Sequence, residues 1–131
     1  MNSIFLIHGK PLHIRKLTQN DLRFSYYEVM NLLSEVDRNT LRSENILNSL
    51  TNDYVYFIVE DININMIVST GTVIITNTHT QSSHTGYIEN IMIHQDYQNI
   101  GLGDIIFQYL NYYCLNIKKC IRVITNCEHN F

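Results

Sequence analysis

A glycine-bearing turn between a predicted strand and a predicted helix constrains the fold of this chain more than any other feature. The run Gln98-Asn99-Ile100-Gly101-Leu102-Gly103 follows a strand-like segment at residues 86–93 and opens an amphipathic segment at residues 102–115. At such a junction the backbone N–H groups of the first helical turn point outwards, and the helix dipole favours negative charge. Glycines at positions 101 and 103 leave those donors uncovered. The junction therefore predicts a site for a phosphate-bearing cofactor.

The composition is that of an ordinary globular domain. The chain has 131 residues, of which 45% are apolar and 16% charged, and no linker or repeat divides it, so we predict a single domain over residues 1–131. A net charge of −3 with scattered Lys and Arg argues against a nucleic-acid surface. Neither a membrane-length apolar run nor a signal-peptide pattern is present, which predicts a cytoplasmic protein with no membrane partner.

Cysteine and histidine usage gives no sign of a metal site. The three cysteines are an odd number without metal-ligand spacing: Cys114, Cys120 and Cys127. This pattern predicts reduced thiols in a cytosol-like compartment. No histidine pair has the spacing of a helix-face metal site, so no metal is expected.

The first half of the chain predicts two extended pieces followed by two helices. The extended pieces cover residues 4–7 and 12–17. Thr18, with Asp21 three residues later, is typical of a helix start. The helix that follows has one apolar stripe at spacings of three and four, formed by Leu22, Tyr26, Val29, Leu33 and Val36. A second, shorter helix is predicted after a cap at Thr40 or Ser43.

The second half predicts a hairpin, a strand, a helix and a last strand. The hairpin pairs residues 54–60 with 66–76 across a turn rich in Asn and Asp. A polar loop at residues 77–85 leads to the strand at 86–93, the helix ends near residue 117, and the last strand covers residues 120–126. The order is β, α, α, β, β, β, α, β. It predicts an α+β fold, with a mixed, mostly antiparallel sheet flanked by helices.

Two common nucleotide-binding motifs do not fit this arrangement. A dinucleotide-binding unit places G-x-G-x-x-G after the first strand, with an acid at the end of the next strand. Here the spacing is Q-x-x-G-x-G, late in the chain and after an antiparallel run. The lysine of the Walker motif is absent as well.

The Q-x-x-G-x-G run, in this order of elements, resembles the acetyl-CoA-binding motif of the GNAT acetyltransferase superfamily. Residues 86–91, 97–103 and 125–128 are similar to segments of the glucosamine-6-phosphate N-acetyltransferases. The patterns of those enzymes run G-x-[IV]-E-D-[IV], Q/R-G-x-x-L-G-K-L-L and L-D-C-D/E. Upstream, residues 14–17 and 33–35 resemble the first strand and first helix of the same enzymes.

The resemblance implies a GNAT fold and a homodimer. It also implies acetyl-CoA as the co-substrate and D-glucosamine 6-phosphate as the acceptor, in a reaction on the route to UDP-N-acetylglucosamine. It implies that the strand backbone binds the pantetheine arm, with cofactor contacts at Ile91, Met92 and Ile93. The N–H groups of the turn and helix start would hold the pyrophosphate, which involves Gln98, Asn99, Ile100, Gly101, Leu102, Gly103 and Asp104.

The same resemblance implies the substrate and catalytic residues. Glu89 and Asn90 would face the sugar amine and hydroxyls, and Ser34 would touch the sugar or its phosphate. Asn126 would lie near the thioester. A carboxylate such as Glu89 can take the proton of the attacking amine directly or through water, so Glu89 and Asn126 are the predicted catalytic residues.

Several positions depart from the family pattern. Asn90 and Asn126 replace acids, which keeps shape and hydrogen bonding but removes charge. Asp104 replaces a lysine and places negative charge beside the expected pyrophosphate. The family pattern continues beyond Phe131 with N-x-x-F-Y-x-K-x-G-[FY], whose tyrosine aids the thiolate, and then a last strand. We therefore expect the last strand to be missing from this chain.

These departures leave three interpretations open: a natural truncation with lost activity, a divergent enzyme, or an incomplete chain. Two other functions follow from them. The chain would be a catalytically impaired relic that binds CoA, or an acetyltransferase that acts on a protein or peptide amine.

Overall fold

The computed structural model describes residues 3–21, 29, 52–77 and 84–125. These residues include one six-stranded sheet and a helix described over its whole length. The strands are β1 (Ser3–Ile7), β2 (Lys10–Lys16), β3 (Asn52–Asp61), β4 (Met66–Asn77), β5 (His84–Ile93) and β6 (Cys120–Thr125). The helix α1 (Leu102–Tyr112) continues into a π-helical turn at Tyr113–Ile117, and single 3₁₀ turns form at Gln19–Asp21 and Gln95–Tyr97.

The strands lie in chain order across the sheet. Each neighbouring pair from β1 to β5 is antiparallel, and β5 pairs with β6 in parallel. A parallel pair needs a crossover connection, and α1 supplies it. The mixed, mostly antiparallel sheet predicted from the sequence is therefore confirmed.

Most predicted element boundaries agree with the structure within two residues. The hairpin, the helix start and the last strand are confirmed. The predicted loop at residues 77–85 is wrong at its end, because His84 and Thr85 already belong to β5, where they pair with β6. Of the predicted apolar stripe, Val29 is helical and fully buried. The rest of that stripe and the second helix lie outside the described residues.

The helix α1 packs closely on one face of the sheet. Ile106 and Leu110 from its apolar side join the core formed by the strands. Gly71 of β4 permits this approach, since a Cβ atom at that position would lie 2.9 Å from the Cδ1 atom of Leu110. Contact this close holds the C-terminal half of α1 against β4.

Two cysteines are free and buried where the π-helical turn meets β5 and β6. A Cβ atom on Gly86 would lie 2.8 Å from the Sγ atom of Cys114 and 3.2 Å from that of Cys120. Burial raises the pKa of Cys114 to about 12, so its thiol stays protonated at neutral pH. Both residues are thus reduced thiols, as predicted, while Cys127 lies outside the described residues.

A buried carboxylate ties the end of β2 to the following turn. Both Nη atoms of Arg15 donate to Asp21 at 2.7 Å, and the Asp21 side chain is only 1% exposed. The same carboxylate accepts from the Thr18 N–H at 2.7 Å and from the Thr18 hydroxyl at 2.9 Å. The N–H contact is one half of a capping box. Asp21 lies in the first turn, as predicted, but the described part of that turn is the 3₁₀ turn Gln19–Asp21, and the Thr18 hydroxyl donates to the Asp21 side chain and does not cap a backbone N–H.

We expect this carboxylate to make stability depend on pH. The hydrogen bonds from Arg15 and Thr18 lower the pKa of Asp21 to about 2, against about 3.9 in an unfolded chain. A depressed folded-state pKa stabilises the protein above pH 4, by about 2 kcal/mol, and this contribution is lost as the pH falls from about 4 to about 2.

Urea unfolding of wild type and Asp21→Asn between pH 6 and pH 2 measures this contribution. The difference in unfolding free energy between wild type and Asp21→Asn should shrink as the pH falls from about 4 to about 2. Asp53→Asn removes an exposed carboxylate and is the control. A constant difference between wild type and Asp21→Asn across this range would contradict the assignment.

Candidate functional site

A β-bulge interrupts β5 at its centre. Thr70 pairs with Met92 and Thr72 pairs with Glu89, so two steps along β4 match three steps along β5. Asn90 lies in the extra step with a φ of 55°. Asn is one of the few residues other than Gly that adopts this left-handed conformation readily. Bulges of this kind re-aim side chains and are common next to active sites.

The bulge leaves apolar residues on both of its sides in the same core. Ile88 and Ile91 are three positions apart, yet both belong to the buried core. Glu89 pairs with Thr72 and is half-buried. Because side chains alternate along a strand, Glu89 faces away from the core that Ile88 joins. The bulge was not predicted from the sequence, although the change in apolar spacing from two to three between Ile88 and Ile91 is a signal for it.

Beyond the bulge, one side of β5 faces away from β4, and we call it the cleft side. Among the residues described, the ladder between β5 and β6 ends at the pair of Ile88 with Thr125, while β5 continues to Ile93. The His94 N–H donates to the Val68 carbonyl of β4 at 2.8 Å. Since successive residues of a strand direct their peptide groups to opposite sides, the peptide groups of Ile93 point to the cleft side.

The three predicted pantetheine contacts do not all face the cleft side. Ile91, two residues before Ile93, directs its peptide groups to the same side by alternation. The Met92 carbonyl instead accepts from the Ser69 hydroxyl at 2.8 Å, on the side of β4. Ile91 and Ile93 therefore direct their peptide groups to the cleft side of β5.

The turn before α1 leaves the start of the helix without a side-chain cap. Asn99 and Gly101 have left-handed φ values of 63° and 87°, and Gly101 is the N-cap. A Cβ atom on Gly101 would meet no other atom within 4 Å, so the space around this exposed residue is open. A helix start that no side chain caps, beside open space, suits a diphosphate group.

The other predicted residues of this turn differ in burial. Leu102 and Gly103 are buried, and Ile100 packs partly against the core. Asp104 lies exposed in the first turn of α1, so its negative charge is at the same end as the open donors. Ser34 and Asn126, predicted at the substrate and thioester, lie outside the described residues.

A buried hydrogen bond anchors the turn to a distant strand. The Tyr97 hydroxyl donates to the Asp61 carboxylate at 2.6 Å, and both residues are 3% exposed. Burial and the Asp61 carboxylate raise the pKa of Tyr97 well above its usual value. The Lys10 ammonium lies 4.5 Å from the centre of the Tyr97 ring. Sequence patterns gave no signal for this contact, because the partners are 36 positions apart.

Removing the Tyr97 hydroxyl should destabilise the fold. Tyr97→Phe leaves the Asp61 carboxylate buried without this donor, which costs about 1–3 kcal/mol. Urea unfolding at pH 7 measures the change. Tyr112→Phe is the matched control, since Tyr112 is 53% exposed on α1. Equal stabilities of the two variants would show that the hydrogen bond is not stabilising.

The described part of the chain has neither a candidate metal site nor a helix that could span a membrane. No group of three or more His, Cys, Asp or Glu side chains is arranged there to hold a metal ion. Its helices are too short or too polar to span a membrane.

Solved structures with similar folds include several acetyltransferases. Glucosamine-6-phosphate N-acetyltransferase from Arabidopsis thaliana is 25% identical with a TM-score of 0.68, covering 90% of this chain and 83% of that one. An acetyltransferase from Trypanosoma brucei is 22% identical with a TM-score of 0.68, covering 90% and 84%. An aminoglycoside acetyltransferase from an uncultured soil metagenomic sample is 19% identical with a TM-score of 0.63, covering 90% and 78%.

Comparison with family models gives the same answer over most of the chain. No curated protein matches the chain significantly. The model of the acetyltransferase (GNAT) family matches residues 19–130. The predicted GNAT fold is thus confirmed, and acetyl-CoA is the co-substrate that this family uses. The chain belongs to the acetyltransferase (GNAT) family.

Proposed function

We propose that the protein transfers the acetyl group of acetyl-CoA to the amine of D-glucosamine 6-phosphate, a reaction on the route to UDP-N-acetylglucosamine. The observation that carries the proposal is the bulge at Asn90, which directly follows Glu89 in the strand that leads to the uncapped start of α1. The choice of acceptor is supported by the 25% identity to the Arabidopsis enzyme and by the motifs shared with that group.

The two ends of the cleft have different tasks in this proposal. The N–H groups at the start of α1 bind the diphosphate, and the peptide groups of Ile91 and Ile93 bind the pantetheine arm as an added strand. Acetyl-CoA supplies an activated acetyl group as a thioester. The Ile91 N–H, which faces the cleft, donates to the carbonyl oxygen that gains negative charge during transfer.

Glu89 accepts the proton that the amine must lose before it can attack. Its position on the strand next to the cleft allows transfer directly or through one water molecule. Asn90 contributes an amide that hydrogen-bonds to a sugar hydroxyl without adding charge. Ser34 at the sugar and Asn126 near the thioester complete the proposed set. We further propose a single cytoplasmic domain over residues 1–131 that works as a homodimer.

A thiol-release assay with acetyl-CoA and a panel of amines tests the proposal. The panel holds glucosamine 6-phosphate, glucosamine, an aminoglycoside and a lysine-containing peptide. Turnover with glucosamine 6-phosphate at the highest kcat/KM is expected. Turnover with another amine alone would refute the acceptor but keep the acetyltransferase activity, and size-exclusion chromatography with light scattering tests the dimer.

A CoA-binding protein without catalysis is the second candidate. Asn90 and Asn126 favour it, because amides stand there where the family pattern has acids, and an amide cannot accept a proton. Thermal stabilisation by CoA, with no product from any amine in the panel, would support this candidate over the first.

A further inference from the structure

One side chain connects the two halves of the proposed cofactor cleft. The Gln98 Nε2 atom donates to the Ile93 carbonyl at 2.9 Å. Ile93 is the last residue of β5, and Gln98 begins the turn that leads to α1. The hydrogen bond therefore joins the end of β5 to the turn at residues 98–101, which we call the diphosphate turn because the diphosphate is proposed to bind there.

This hydrogen bond lies on the cleft side of β5. The His94 N–H is directed to Val68 in β4, so the Ile93 carbonyl points the other way. On this side of the strand, the Ile93 carbonyl is already occupied by the Gln98 amide. An extended ligand that adds to β5 would have to compete with Gln98 for this carbonyl.

The backbone of Gln98 is held separately from its side chain. Its N–H donates to the Gln95 carbonyl at 3.4 Å, which closes the 3₁₀ turn. The next residue, Asn99, is left-handed, and Gly101 follows as the N-cap of α1. With its backbone fixed in the turn and its side chain fixed on the strand, Gln98 sets the separation between the strand end and the helix start.

We infer that Gln98 is a positioning residue, which ends the pantetheine-binding edge at Ile93 and holds the diphosphate turn at the correct distance from it. The inference rests on the proposed function, since it concerns the same cleft. It predicts that loss of the Gln98 side chain lowers the affinity for a ligand that contacts both β5 and the diphosphate turn. The affinity for a ligand that contacts only one of them should fall less.

Binding of CoA, acetyl-pantetheine and ADP to three variants tests the inference by calorimetry. Gln98→Ala should weaken CoA binding about three- to tenfold, the range of one lost hydrogen bond. Acetyl-pantetheine and ADP each reach only one half, so their affinities should change less than that of CoA. Gln98→Arg keeps a donor for the Ile93 carbonyl and should bind CoA nearly as wild type does. Gln95→Ala, an exposed glutamine of the same turn, is the matched control.

A second measurement separates this inference from the proposed function. The ¹³C NMR chemical shift of the Ile93 carbonyl, measured in the free protein, should differ from wild type in Gln98→Ala. It should equal that of wild type in Gln95→Ala. If wild type does not bind CoA, the proposed function fails, while the shift still reports on the hydrogen bond. An unchanged shift, or CoA affinity in Gln98→Ala equal to wild type, would overturn the inference. Thermal unfolding of each variant shows that binding is compared between folded proteins.

Discussion

Glu89→Gln should lower kcat by about 10²- to 10⁴-fold, the usual contribution of a positioned general base. The amide keeps the size and hydrogen bonding of the carboxylate but cannot accept the proton of the amine. Because Glu89 lies before the bulge and not in the turn at α1, the affinity for CoA should stay within about twofold of wild type. Steady-state kinetics with the best amine of the panel, together with calorimetry for CoA, measures both quantities.

Asp53→Asn is the control for this substitution. It also removes one carboxylate from a strand of the sheet. Asp53, however, is exposed at the start of β3, whereas the bulge lies in β5. Its kcat should equal that of wild type. A Glu89→Gln variant with unchanged kcat would show that Glu89 is not the base. Loss of CoA affinity equal to the loss of kcat would assign Glu89 to cofactor binding instead.

The sequence predicted the junction at α1 because each of its signals is local. Gly101 supplies the left-handed N-cap, and the apolar stripe that follows includes Ile106 and Leu110, which the structure places in the core. The hydrogen bond from the Thr18 N–H to the Asp21 carboxylate is local as well. Elements specified by neighbours in the chain could therefore be located from the sequence.

The bulge and the anchor of the turn could not be located in this way. Asn at position 90 is compatible with a left-handed backbone, as Asp would be. The residue type alone does not show that the backbone is left-handed there, as the structure does. The partner of Tyr97 is Asp61, on a different strand, and its burial depends on the packing of β3 beside the turn. Only the assembled sheet brings such residues together.

The bulge also changes how the substitution of Asn90 for an acid is understood. The family pattern places Asp after the glutamate, and Asp and Asn both tolerate the φ of 55° found here. The fold of the site therefore does not depend on the missing charge. Any loss of activity from this substitution would arise at the substrate, through a weaker attraction for an ammonium group, and not through a distorted strand.

Gly101→Val should weaken CoA binding about 10- to 100-fold, because it places a branched side chain in the space in front of α1. That space is open now, with no atom within 4 Å of a Cβ built on Gly101, and the diphosphate is proposed to occupy it. Charge-assisted hydrogen bonds to the helix start contribute about 1.5–3 kcal/mol each, so the loss of one accounts for this change.

Backbone strain alone would also weaken binding, and Gly9→Val controls for it. Gly9 has a φ of 76° against 87° for Gly101, and a Cβ on Gly9 likewise meets no atom within 4 Å. Both variants should lose stability by about 1–2 kcal/mol, since valine adopts a left-handed φ poorly. Only Gly101→Val should lose CoA affinity, because Gly9 lies in the turn between β1 and β2. Equal CoA affinities of the two variants would show that the diphosphate does not bind at the start of α1.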